Sequence, residues 1–304
     1  MKKYSKNEIT ARIALLALGI IWGSTFVGVS STAEFFKPAF LIFLRFSIGF
    51  LFLSLLFLPR FKKFSKKYII AGLLTGITTF LGYYTQTFAM TVLGGKPGRS
   101  AFLIATYCVI VPFASWLINK HRPDKYNIIA AFMCITGIGL ISLPDLLLGS
   151  DTLVSLADFV TLISALVFVG NIIVIEKLAP ELDSVLFTIA HFFVVAIIAL
   201  IFTFLFEDNS ATIWSKKSII TVLYLAIPCT GIALLLQTYG QKYTSASTAS
   251  LFFSLESVFG MAFSIMFGFE SLTLNLFFGG FLIVASIIVT ETKLNFLKPK
   301  TTNI

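Results

Sequence analysis

Charge is scarce in this chain. Only 12% of its 304 residues are Asp, Glu, Lys or Arg, 57% are hydrophobic, and the mean hydropathy is +0.95. A soluble domain of this length cannot hide so much apolar surface in one core, so that class is excluded. Histidine is limited to His121 and His191, which leaves no multi-histidine metal site. No His, Cys, Asp or Glu cluster has metal or acid–base spacing, which argues against an intramembrane protease or hydrolase; the chain does not read as an enzyme. The three cysteines, Cys108, Cys134 and Cys229, lie in apolar runs and read as small buried hydrophobes. A phosphate-cradling Gly-x-x-x-x-Gly-Lys-Ser/Thr motif is also missing, so ATP-driven transport would need a separate subunit. No cofactor is expected.

What the chain does have is long apolar runs. Ten are readable, at 13–32, 39–58, 68–92, 101–118, 127–143, 157–175, 185–206, 217–240, 247–267 and 274–290. A helix rises ~1.5 Å per residue, so runs of about 20 residues cross a hydrocarbon core ~30 Å thick. In lipid every backbone polar group must be paired within the protein, which leaves helices or a closed barrel. A barrel needs segments of alternating polarity, whereas Phe50–Leu58 and Ile197–Phe206 are apolar without alternation. The expected fold class is an all-α polytopic membrane protein with ten transmembrane helices. The first run follows a basic stub and is too long for a signal-peptide core, so it reads as a retained helix.

Charge orients these helices. Seventeen of the 23 Lys and Arg fall on one side of the alternating topology; the other side has Lys37, Lys96, Arg99, Lys216 and Lys217, and Arg45 lies within a run. Positive residues stay in the cytoplasm during insertion, so both termini are expected there, in a multi-pass protein of the cytoplasmic membrane. The net charge of +9 is spread over short loops, with no basic stripe, and nucleic acid is not an expected partner. Anionic lipid headgroups suit the Arg60–Lys67 loop.

The halves resemble each other. Gln86-Thr87 matches Gln237-Thr238 at an offset of 151, Arg45 sits opposite His191 at 146, and Ala131 and Gly137 match Gly279 and Ala285 at 148. The expected organisation is a stub (1–12), a first five-helix repeat (13–143), an external linker (144–156), a second repeat (157–292) and a cytoplasmic tail (293–304). Five is odd, so the second copy is inverted. Inverted repeats are a common architecture of secondary transporters, with the substrate site near the midplane.

Several motifs carry a resemblance to a known family. They are Ile21-Trp22-Gly23-Ser24, Arg45, the stretch Gly94-Gly95-Lys96-Pro97-Gly98-Arg99-Ser100-Ala101-Phe102 with Pro112 after it, Leu255-Glu256-Ser257-Val258, and Gly279 with Ala285. In order and spacing the chain resembles the drug/metabolite transporter superfamily, EamA type, over about residues 10–292. The resemblance implies export or import of amino acids, other small metabolites or drugs, usually without ATP. One departure is Ser257, where the family has proline after the glutamate; the kink such a proline imposes is therefore not expected.

Polar groups inside the membrane are the candidate site. A charge at mid-membrane costs ~2.5–3.5 kcal/mol on insertion scales, so Arg45 and Glu256 must face protein or water. Glu256 reads as a proton-coupling or substrate-amine site, or as a structural hydrogen-bonding group; Arg45 reads as a carboxylate binder, a helix cap or a snorkelling cation. Gln86 and Gln237, equivalent in the two halves, read as substrate-binding amides or interhelical glue. Tyr83 shares the Gln86 face and Tyr107 can join it; the mid-span Trp22 reads as a cavity-lining or a packing ring, and Asn171 as a cavity residue or a helix-packing amide, and with the glutamines these four make up the candidate substrate-binding set. The segment Gly94 to Arg99 reads as an external gate or a solvated turn. The expected function is a secondary transporter of small organic metabolites, most simply an exporter, whose partners are substrate, lipid and a coupling proton. The alternatives are an organic-phosphate or nucleotide-sugar exchanger of the same fold, and a receptor or assembly protein that transports nothing.

Overall fold

The computed structural model describes residues 5–120, 122–148, 155–269, 271 and 274–293. Parts of the stub, of the 144–156 linker and of the 293–304 tail thus lie outside the described residues. Every regular element described is helical: α1 (Lys6–Ser30), α2 (Pro38–Leu56), α3 (Lys66–Thr91), α4 (Pro97–Ile104), α5 (Tyr107–Asn119), α6 (Lys125–Leu148), α7 (Leu156–Leu178), α8 (Ser184–Phe206), α9 (Lys216–Ala226), α10 (Ala233–Tyr243), α11 (Ala246–Phe253), α12 (Leu255–Met266) and α13 (Leu274–Thr292). Among the described residues, eight stretches are long and apolar enough to cross a membrane: α1, α2, α3, Pro97–Ile118, Leu156–Glu181, α8, Lys216–Tyr243 and Ala246–Met266. The hydropathy count of ten adds α6 and α13, which lie along each other.

Local chemistry starts these helices. Ser5 and Ser155 each form a reciprocal capping box, with Glu8 and Asp158 respectively. Proline opens α2 and α4, where its missing N–H costs nothing. The N–H groups of Ala39 and Phe40 at the start of α2 donate to the Glu207 carboxylate, which follows α8. At this same end Arg99 pairs with Asp158 at 2.9 Å. At the opposite end Arg60 pairs with Asp183 at 2.8 Å and Lys242 Nζ donates to the Leu182 carbonyl at 2.6 Å.

Three interruptions shape the middle of the bundle. Between α9 and α10, Pro228 opens a π-helical segment, Ile227–Ile232. The fourth apolar run breaks between Ile104 and Tyr107, and the ninth breaks at Ser254. The break at Ser254 corrects the expectation drawn from Ser257, because an interruption occurs without proline. Ser250, Ser254 and Ser257 each donate their hydroxyl to the carbonyl three residues earlier, at 3.1, 2.6 and 2.6 Å. Such back-bonding competes with the helical ladder and bends it.

The packing is close where small residues meet. α1 lies against α10 and α12, α3 against α7 and α8, and α2 against α8. A Cβ on Gly23 would stand 2.5 Å from Phe259 Cβ, so α1 and α12 touch backbone to backbone there.

Candidate functional site

The two helix breaks meet at the centre. Tyr107 is the first residue of α5 and Glu256 lies in the first turn of α12, so each projects from a fresh helix start in mid-bundle. An acid in that position also suits the positive end of the helix dipole. The Tyr107 hydroxyl donates to Glu256 Oε1 at 2.7 Å. Both residues are buried, and among the described residues no cation pairs with Glu256.

These two residues line a narrow central cavity with side chains from six other elements. α1 contributes Trp22, Thr25 and Phe26; α3, Tyr83 and Gln86; α4, Ile104; α7, Phe168 and Ile172; α10, Gln237; and α11, Phe253. The space between them that admits a water-sized body is about 40 Å³. Trp22 packs its ring against Phe253, with centroids 5.4 Å apart, and its Nε1–H has no hydrogen-bond partner among the described residues. Gln237 is 2% exposed and its Oε1 is likewise unpartnered, whereas Gln86 is only half-buried. One turn beyond Gln237, Gln241 Nε2 donates to the Ile172 carbonyl at 2.8 Å and ties α10 to α7.

Six of the eight residues singled out from the sequence therefore share one cavity: Trp22, Tyr83, Gln86, Tyr107, Gln237 and Glu256. Two do not line it. Arg45 is 1% exposed, with its guanidinium 5.0 Å from the Tyr83 ring centroid. Its Nε donates to Thr230 Oγ1 in the π-helical segment at 3.1 Å, and its Nη2 has no partner among the described residues. Asn171 turns toward α3, where its Nδ2 donates to the hydroxyls of Thr78 and Thr79 at 3.0 and 2.9 Å. Thr79 also meets His191 Nε2 at 2.7 Å, so α3, α7 and α8 are joined by one polar knot. In the Gly94 to Arg99 segment, Gly94 takes φ +74° and Arg99 is committed to Asp158. The sequence reading passed over Thr25, Phe26, Ile104, Phe168, Ile172 and Phe253. Helical spacing from the polar residues marks Thr25 and Phe26 on the Trp22 face; the other four carry no signal of their own.

Comparison with known proteins agrees with this architecture. The EamA-like transporter family model matches twice, over residues 9–143 and 155–292. An uncharacterized transporter of Archaeoglobus fulgidus is 30% identical, over 94% of this chain and 87% of its own length. The uncharacterized transporter YoaV of Bacillus subtilis is 24% identical, over 92% of this chain and 96% of its own. A solved crystal structure, 16% identical, aligns with a TM-score of 0.73 over 95% of this chain and 99% of that one, a likeness of fold alone. With the bundle, the central polar cavity and both family matches in view, this multi-pass membrane protein belongs to the EamA-like transporter family.

Proposed function

We propose that the chain is a ten-helix secondary transporter built from two inverted five-helix repeats, about 13–143 and 157–292, with both termini in the cytoplasm. It exports small organic metabolites across the cytoplasmic membrane by alternating access. One observation carries the reading: the cavity is lined by equivalent residues of the two halves. Trp22 and Ile172 are 150 residues apart, Gln86 and Gln237 are 151 apart, and Ile104 and Phe253, like Tyr107 and Glu256, are 149 apart. The N-cap serines keep the same register, Ser5 with Ser155 and Ser65 with Ser215 at 150. Residues equivalent under an in-plane two-fold meet only near its axis, where such transporters hold substrate. The pairing of α2 with α8 and of α6 with α13, each an element beside its own equivalent, supports the same axis. A sealed scaffold has no need of this polar cavity. An organic-phosphate site would need cations in it, and among the described residues none lines it.

Flux through reconstituted proteoliposomes tests the assignment. Gln86→Leu and Gln237→Leu should each cut transport at least about tenfold while changing stability by no more than the ~1–2 kcal/mol of an interhelical amide. Loss of thermal stability in proportion to flux would make the amides packing groups and refute the site.

A further inference from the structure

We infer that the central cavity selects a monocationic amine with an aromatic or apolar body and rejects acids. This deepens the transport-site reading and rests on it. The charge of the lining is one-sided: Glu256 is its sole ionisable acid, and no Lys, Arg or His lines it among the described residues. Arg45, the nearest buried cation, stands against the Tyr83 ring and is not part of the wall. Six aromatic rings, from Trp22, Phe26, Tyr83, Tyr107, Phe168 and Phe253, make up half of the lining residues. Aromatic faces attract ammonium groups and repel carboxylates.

The hydrogen-bonding inventory agrees. Gln237 Oε1 is a buried acceptor without a donor among the described residues, and Glu256 carries a second carboxylate oxygen beyond the one that Tyr107 fills. An ammonium group, with up to three N–H donors and no acceptor, satisfies both. The Trp22 Nε1–H is the matching free donor, neutral and single. It can meet a hydroxyl or carbonyl on the substrate, but a neutral donor does not offset the transfer of a carboxylate from water into an apolar slot. An amino acid would bring its carboxylate into the same space and lose affinity for that reason. A proton and an ammonium group cannot both occupy Glu256 as its counter-charge, so binding of the amine releases any proton held there. Tyr107 from α5 and Tyr83 from α3 are the other titratable groups on the lining, with Arg45 of α2 behind Tyr83.

Four probes with one phenyl body test this on the purified full-length chain: 2-phenylethylamine, 2-phenylethanol, phenylacetate and phenylalanine, each titrated calorimetrically. The amine should bind about tenfold or more tighter than the alcohol, and phenylacetate should not bind measurably. Phenylalanine should bind more weakly than the amine. Glu256→Gln should bring the amine down to the alcohol's affinity, and a melting temperature and far-UV circular dichroism spectrum like the wild type's report that the variant is folded. Equal or tighter binding of phenylacetate or phenylalanine, an amine no better than the alcohol, or no binding of any probe overturns the inference; the wild-type ranking decides this even if Glu256→Gln does not fold. The transport reading fails separately: an amine that binds with the expected ranking yet never crosses a proteoliposome membrane refutes transport and leaves selectivity standing. Flux of an acid that Gln86→Leu abolishes does the reverse.

Discussion

Glu256 and Tyr107 depend on each other. The phenol supplies the one hydrogen bond described for a carboxylate that is 4% exposed. Removing a donor from a buried charged acceptor leaves its desolvation uncompensated, at a cost of ~1–3 kcal/mol. Tyr107→Phe should therefore lower the unfolding free energy by about that amount in detergent; an unchanged melting temperature would mean that water already serves the carboxylate. Trp22, Gln86, Gln237 and Glu256 were legible as candidates because polar groups within apolar runs demand partners. Asn171 met the same criterion and yet bonds the threonines of α3. Residue type alone cannot separate an amide that faces a cavity from one that faces a neighbouring helix, since both sit in an otherwise apolar run.

At the scale of helices, contact distance decides which substitutions matter. Gly23→Ala should cost about 1–3 kcal/mol, because its methyl would drive α1 off α12 at a point where neither backbone has room. Gly170→Ala in α7 is the control. Its Cβ meets nothing within 4 Å, so the helix gains up to about 1 kcal/mol of intrinsic propensity. Thermal melts of both variants check the pair, and equal shifts would contradict the α1–α12 contact. The interruptions were harder to foresee. Pro228 announces one by its chemistry, whereas the break at Ser254 coincides with three serine hydroxyls that bond carbonyls of their own helix. That competition is invisible to a hydropathy window, which registers a continuous apolar run.

At the scale of the whole molecule, ion pairs join the loop ends of separate helices. Asp124 before α6 accepts from Lys293 at the end of α13 and from the N–H groups of Tyr126 and Asn127. Partial burial pushes the Asp124 carboxyl up, but the Lys293 bond and the two N–H groups outweigh it and hold the carboxyl below its ordinary value. A carboxyl lowered in the folded state contributes stability that is complete above its unfolded pKa and disappears as pH falls through the folded one. Asp124→Asn should thus lower the melting temperature at neutral pH and flatten its decline in acid, a change read by melts across that range. A steeper acid decline in the variant would contradict the pairing. Orientation is a separate test: cysteines introduced in the Arg60–Lys67 and Lys120–Lys125 loops should resist impermeant reagents in intact cells, and one at Lys216 should react. External labelling of the basic loops would overturn the topology and the inverted repeat together.

The sequence by itself determined that the chain is a helical membrane protein and roughly where its spans lie. Those properties follow from solvent: lipid accepts only apolar, internally bonded segments and leaves basic loops behind. It also exposed a two-fold periodicity near 150 residues and the family the chain resembles. Only the tertiary structure decided which polar groups share a space. The convergence of Tyr107 with Glu256, the exclusion of Arg45 and Asn171 from the lining, and the aromatic ring around one carboxylate depend on where helices break and how closely glycines let them approach. Those are matters of close packing between segments far apart in the chain, and no local pattern of apolar residues encodes them.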